Sequence, residues 1–129
     1  MMEDRTIRVL AYNLETILAE KLETVISRGN QNTRPRDYYD IFILTELQEK
    51  NIDLGLLSLA LDNTAKKRAT TEIIKKYKSI MESVKNSDVM KQRWNDYRKD
   101  YDYAQGIEFN DTCESVAKIM DEIVGFVAE

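Results

Sequence analysis

One lysine and two aspartates are the residues of this sequence whose types and spacing could do chemistry. Lys21 lies seven residues after Leu14 and four after Ile17, inside the apolar stripe of a predicted helix. Because a buried unpaired charge costs several kcal/mol, its ammonium group must meet an anion, reach water or line a cavity. Two kinds of partner remain open: an internal carboxylate, Asp37 or Asp40, or the phosphate of a ligand.

Asp37 and Asp40 are three residues apart, so a helix would place both carboxylates on one face. Carboxylates so placed can hold Lys21, bind a divalent cation together with other groups, or orient an attacking hydroxyl. An acid in the first helical turn is favoured by the helix dipole alone, which is sufficient to explain Asp37. Asp40 is flanked by aromatic and aliphatic residues, which predicts that it is partly buried.

Three arginines surround the loop between the two helices that would carry these residues: Arg28, Arg34 and Arg36. Their guanidinium groups either bind phosphate or are solvated.

Aromatic residues recur at helical spacing further along the chain, with cations between them. Met90, Trp94, Tyr97 and Tyr101 form this series. Aromatic rings beside cations can stack on RNA, but the same pattern is typical of an amphipathic helix that packs on a core.

The charge is unevenly distributed along the chain. The net charge is −4, yet residues 66–99 carry eleven Lys and Arg against four Asp and Glu, whereas 100–129 carry eight acids and one lysine. The basic segment 66–99 and the acidic segment 100–129 either pair with each other in the fold, or the basic segment binds a polyanion. The alternative function is therefore a helical interaction module that binds RNA or an acidic protein through 66–99, with Lys75, Lys76 and Arg98 as predicted contacts.

The elements that must position these residues are predicted as helices joined by short loops. The first ends at Gly29, which can adopt a left-handed cap, and the second begins near Pro35, which suits a first helical turn. Residues 6–13 alternate enough to predict a short N-terminal strand. We predict an all-α bundle of five or six helices in one domain, 1–129, at about 14–28, 34–49, 54–68, 70–84, 87–103 and 112–127.

Composition excludes several kinds of site. The chain has no histidine and a single cysteine, so neither a Ser/His/Asp nor a Cys/His catalytic device can form within it. Cys113 is predicted to be a buried small apolar residue, in a reducing compartment. No apolar run approaches the ~20 residues of a membrane span and no signal core is present, so we predict a cytoplasmic protein without a membrane partner.

Two runs of sequence resemble a known family. The run LETILAEKLETVISRGNQNTRPRDYYDIFIL (14–44) closely resembles the latter half of the AbiEii/AbiGii nucleotidyltransferase-like toxins, where a helix bearing EKL precedes an R.RD.YDI helix. The run KQRWNDYRKDYDYAQGIEF (91–109) is similar to that family's C-terminal tail. The resemblance covers nearly the whole chain from about Leu10.

The resemblance implies a function. Its members act in bacterial toxin–antitoxin and phage-defence systems beside a cognate antitoxin, and are similar to enzymes that use magnesium to move a nucleoside monophosphate from a triphosphate to an acceptor such as tRNA. By matching position, Lys21 would contact the nucleotide and Asp40 would be an active-site acid. Asp37 is the second catalytic candidate, Arg36 is a further nucleotide-binding candidate, and no metal ligand is implied.

The sequence departs from the family in one respect. We find no Gly-Ser turn for the triphosphate and no strand with paired acids for magnesium. We therefore expect the C-terminal portion of a larger protein, inactive alone and without a tightly bound cofactor, whose partner is the missing N-terminal nucleotidyltransferase core. Lys21 and Asp40 should then converge beside an exposed apolar face where that core docks.

Overall fold

The described part of the chain is a bundle of helices. The computed structural model describes residues 14–128, which form seven α-helices, three 3-10 turns and no strand. The all-α prediction is confirmed, and the predicted strand at 6–13 lies outside the described residues. The helices are α1 Leu14–Arg28, α2 Pro35–Leu47, α3 Leu54–Lys67, α4 Thr71–Ile74, α5 Tyr77–Lys85, α6 Asp88–Asp100 and α7 Phe109–Ala128, and the 3-10 turns are Gly29–Gln31, Glu49–Asn51 and Asp102–Ala104.

One hydrophobic core joins these helices. Helix α1 contributes fully buried side chains at helical spacing and packs against α3 and α2, while α7 packs against α2, α3 and α5. Trp94 of α6 is buried in the same core, and so is Cys113 of α7, as predicted. The buried residues of α1 are Leu14, Glu15, Leu18, Ala19, Leu22, Glu23, Val25 and Ile26.

The connection between α1 and α2 is held in a defined shape. Gly29 follows α1 with φ of +50°, a left-handed conformation that favours glycine. Asn32 is buried, and its side-chain oxygen accepts a hydrogen bond from the Arg34 amide at 2.6 Å. Arg93 of α6 donates to the carbonyl oxygens of Asn30 and Asn32 at 3.1 and 3.0 Å. These contacts fix how α2 returns against α1, and so where Asp37 and Asp40 lie.

The segment predicted as a fourth helix at 70–84 forms two helices, α4 and α5. The break lies at Lys75 and Lys76, where the Lys76 amide donates to the Ile73 carbonyl three residues back, at 2.9 Å. Both Ile74 before the break and Tyr77 after it are buried. The apolar periodicity continues through the break, which explains why the sequence predicts one helix there.

None of the helices in the described segment has the length and apolar character that a membrane crossing requires.

Candidate functional site

The structure brings four of the predicted site residues together where α1 meets α2. Lys21 Nζ lies 2.8 Å from Asp40 Oδ2 and 4.0 Å from Asp37 Oδ1. Arg36 Nε lies 3.8 Å from the same Asp40 oxygen. Asp37 and Asp40 share a face of α2, as their spacing predicts, and that face is turned toward Lys21.

The Lys21–Asp40 pair lies at the boundary between core and solvent. The side chains of Lys21 and Asp40 are 26 % and 23 % exposed, so water and a ligand can reach both. Asp37 is more buried, and its Oδ2 has no hydrogen-bond partner among the described residues. A buried carboxylate oxygen without a donor is costly, so the Asp37 side of the cluster has unused capacity to accept a hydrogen bond.

A polar cleft of about 460 Å³ opens beside this cluster, between α1, the start of α2 and the residue that follows α3. Arg28 and Arg34 both line this cleft, and neither has a carboxylate within 4.0 Å in the part of the chain that the structure describes. Such cations suit phosphate oxygens. The charged residues that line the cleft are Lys21, Arg28, Arg34 and Arg68 on the positive side, and Glu20, Glu23 and Asp37 on the negative side.

Sequence reasoning missed the ion pair that forms another wall of the cleft. Glu23 of α1 has a side chain only 3 % exposed, and it accepts hydrogen bonds from the Arg68 guanidinium and, at 2.9 Å, from the Thr70 hydroxyl. Arg68 also donates to Thr24 Oγ1 at 3.2 Å. No local pattern signals this pairing, because Glu23 and Arg68 are 45 residues apart.

The aromatic series of α6 divides into a core half and a surface half. Met90 and Trp94 are buried, and Trp94 Nε1 donates to the Ile107 carbonyl at 2.9 Å, which fits the core-packing interpretation. The outer residues join two other tyrosines in a partly exposed group that we call the tyrosine cluster: Tyr39, Tyr97, Tyr101 and Tyr103.

The predicted RNA contacts do not meet in one place. Lys75 and Lys76 border a groove of about 860 Å³ with mainly apolar walls, between α3, α5 and α7. Arg98 lines a different cleft on α6, donates to the Ile107 carbonyl at 3.1 Å and lies 3.4 Å from Glu108.

The sequence predicts an exposed apolar face beside Lys21 and Asp40, where the missing core would dock. The groove near Lys75 and Lys76 has the most extensive apolar walls among the clefts described, yet Lys21, Asp37 and Asp40 do not line it. The cleft that Lys21 does line has polar walls. Among the described residues, the structure therefore brings Lys21 and Asp40 together, but neither of them lines the large apolar groove.

The carboxylates near Lys21 do not by themselves fit a magnesium site. Within 14–128 the structure has no group of three or more Asp, Glu, Cys or His side chains placed to hold a metal ion. Asp40 and Asp37 are directed at the Lys21 ammonium, which competes with any cation for their oxygens.

Comparison with known proteins identifies the family. Neither a curated protein nor a solved structure matches the chain. A family model described as "Nucleotidyl transferase AbiEii toxin, Type IV TA system" matches residues 1–120 of the 129. The match includes α1, α2 and the whole cluster around Lys21. The chain therefore belongs to the AbiEii nucleotidyl transferase toxin family of type IV toxin–antitoxin systems.

Proposed function

We propose that this chain is the helical part of a nucleotidyltransferase toxin, in which Lys21 and Asp40 form one wall of a nucleoside triphosphate site. The whole enzyme transfers a nucleoside monophosphate to an acceptor such as tRNA, in the cytoplasm and beside a cognate antitoxin. The observation that carries the proposal is the contact of Lys21 Nζ with Asp40 at 2.8 Å, at the edge of a cleft lined by further cations.

Each side chain has a role that follows from its chemistry. The Lys21 ammonium has three N–H donors, so it can keep Asp40 and still bind a phosphate oxygen from the cleft. Arg28 and Arg34 add positive charge for the rest of the triphosphate, and Arg36 lies near Asp40 to do the same. The Asp40 carboxylate can accept a hydrogen bond from the acceptor hydroxyl and orient it.

Asp37 has a supporting role in this proposal. Its Oδ1 lies 4.0 Å from Lys21 Nζ, which keeps the ammonium positioned when Asp40 turns toward an acceptor. Its Oδ2 is buried and has no donor among the described residues, so a nucleotide could donate to it only if the wall of the cleft moved.

The remaining parts of the reaction need groups that we find neither as a sequence motif nor among the described residues. The sequence contains no Gly-Ser turn, and the described carboxylates do not fit magnesium. We therefore propose that a nucleotidyltransferase core outside these 129 residues supplies the phosphate cradle and the metal ligands. Without that core, we expect no turnover.

An assay with radiolabelled triphosphates tests whether the chain is inactive without the core. The chain is incubated with each triphosphate in turn, with magnesium and tRNA, and label in the RNA is measured. We expect none, because the charge stabilisation that the core would supply is lacking. Label transfer that disappears in K21M would mean that the chain contains a complete site, and would overturn the composite-site proposal.

A second candidate is an interaction module that binds RNA or an acidic protein through residues 66–99. The observation in its favour is that Lys75 and Lys76 lie together at the rim of an apolar groove. This candidate requires binding that weakens as salt rises and that falls when Lys75, Lys76 or Arg98 is replaced by alanine. Absence of binding at low salt would exclude it.

A further inference from the structure

The tyrosine cluster is a group of packed rings contributed by three segments of the chain. Tyr39 comes from α2, Tyr97 from α6, and Tyr103 from the 3-10 turn that follows Tyr101. Ring centroids lie 4.6 Å apart for Tyr39 and Tyr103, 4.8 Å for Tyr97 and Tyr101, and 5.5 Å for Tyr101 and Tyr103. The hydroxyls of Tyr97 and Tyr103 are hydrogen-bonded at 2.6 Å, which links the ring on α6 to the ring on the 3-10 turn.

Two rings of the cluster remain substantially open to solvent. Tyr101 is 46 % exposed and Tyr103 is 51 % exposed, although both pack against other tyrosines on their inner sides. Preorganised aromatic rings of this kind offer π-faces on which unpaired bases stack without a large entropic cost.

The cluster adjoins the acidic end of the candidate site. Tyr39 directly precedes Asp40 on α2. The Tyr39 ring in turn lies 4.6 Å from the Tyr103 ring, and Arg36 Nε lies 3.8 Å from the Asp40 carboxylate. The tyrosine cluster therefore begins at the residue next to Asp40.

The charges around the cluster are mixed. The Arg36 side chain is 75 % exposed, and Lys99 is exposed in the last turn of α6, but Asp100 and Asp102 flank Tyr101 in the chain. Lys99 can meet a phosphate of the RNA, and Arg36, which also serves the triphosphate, adds positive charge where the two substrates meet, while the two acids disfavour a dense phosphate backbone such as that of a duplex. This balance favours a single strand held mainly by stacking.

We propose that the tyrosine cluster binds the single-stranded end of the acceptor RNA by stacking its bases on Tyr101 and Tyr103, which brings the terminal hydroxyl toward Asp40. The inference rests on the proposed function, because it takes the acceptor to be RNA. The acceptor then approaches Asp40 from the tyrosine side while the triphosphate approaches from the cleft that Lys21 lines.

Binding of a fluorescent single-stranded oligoadenylate of about ten nucleotides tests the inference, since that length suits stacking sites of this kind. Fluorescence anisotropy at low salt compares the wild-type chain, the pair Y101L/Y103L and the pair Y101F/Y103F. We expect the leucine pair to weaken binding about tenfold or more, and the phenylalanine pair to retain it, because phenylalanine keeps the stacking faces. A duplex of equal length should bind more weakly than the single strand.

A control variant distinguishes binding at the tyrosine cluster from binding at the basic groove rim. K75A/K76A changes the basic groove rim and should leave affinity nearly unchanged. Equal binding by the leucine pair and the wild type, absence of RNA binding at low salt, or a loss confined to K75A/K76A would each overturn the inference. So would a change of sedimentation in the leucine pair with unchanged RNA binding, because the cluster would then be a protein interface.

The folded state of each variant is checked by circular dichroism, and we expect it to be retained because Tyr101 and Tyr103 are about half exposed. Failure of this inference is separable from failure of the proposed function. Nucleotide binding at Lys21 is measured without RNA, so its presence or absence does not depend on the tyrosines.

Discussion

The ammonium of Lys21 and the carboxylate of Asp40 are in direct contact, at 2.8 Å, across the interface of α1 and α2. This contact explains why a lysine can occupy the apolar stripe of α1. The Lys21 side chain is 26 % exposed, and its charged end meets a partner that is itself only 23 % exposed. The pair is therefore neither a fully solvated surface bridge nor a fully buried one.

A double-mutant cycle measures the strength of the Lys21–Asp40 pair. We expect K21M and D40N to be coupled by about 1 kcal/mol, between the values for exposed and buried pairs. K21M should destabilise more than D40N, because it leaves Asp37 without its cation and Asp40 with only the exposed Arg36 at 3.8 Å, whereas D40N leaves Lys21 with Asp37 at 4.0 Å. Urea unfolding followed by circular dichroism gives the four stabilities, and additive effects would contradict the expected coupling.

The ion pair of Glu23 and Arg68 should matter more for folding. Because the Glu23 side chain is 3 % exposed, R68M leaves a buried carboxylate with the Thr70 hydroxyl as its remaining donor, and we expect a loss of about 2 kcal/mol. K66M is the matched control, since Lys66 pairs with Asp62 on the surface and should change stability by less than about 0.5 kcal/mol. Equal effects of the two variants would contradict the buried pairing.

Cys113 should be chemically silent in the folded protein. Burial raises the pKa of its thiol from 9.0 to about 12, and the side chain is buried in the core. At about pH 8 the thiolate is therefore scarce, and the side chain, 2 % exposed, offers little surface to a thiol reagent. We expect no reaction with Ellman's reagent in native buffer and a full equivalent in guanidinium. Rapid labelling of the native chain would show that α7 opens at this position.

Tyr77 gives a pH dependence of stability at the alkaline end. Its hydroxyl donates to Asp121 Oδ1 at 2.6 Å, and burial followed by this hydrogen bond raises its pKa from 10.0 to about 12. A folded pKa above the unfolded one means that the contribution of Tyr77 is complete below about pH 10 and is lost as pH rises toward 12. The difference in unfolding free energy between wild type and Y77F should shrink over that window. A constant difference would contradict the raised pKa.

Local sequence signals were sufficient for the first two helices and for the residues that converge between them. The apolar stripe that ends at Gly29, and the proline that opens α2, fix both helices to within a residue or two. Because Lys21 breaks one stripe and Asp37 and Asp40 share one face, their meeting follows once the two helices pack face to face.

Contacts between distant segments could not be predicted in the same way. From the sequence, Glu23 looks like a solvated residue beside the apolar stripe, because its partner Arg68 lies at the end of α3. Tyr39 contacts Tyr103 only because α2 packs beside the turn that follows α6. The apolar periodicity likewise gives no sign of the helix break at Lys76, because Ile74 and Tyr77 on either side of it are both buried at helical spacing. Each of these features depends on how the helices dock rather than on any local preference.

The most direct test of the central claim, that Lys21 and Asp40 form one wall of a nucleotide site, is a titration of the isotope-labelled chain with a nucleoside triphosphate, followed by amide NMR. Millimolar nucleotide is required, because half a site should bind weakly. Lys66 provides the matched control variant, K66M. We predict shifts centred on Lys21, Arg34 and Asp40 that disappear in K21M and persist in K66M. Shifts centred on Lys75 and Lys76, or a pattern that K21M leaves unchanged, would contradict the claim.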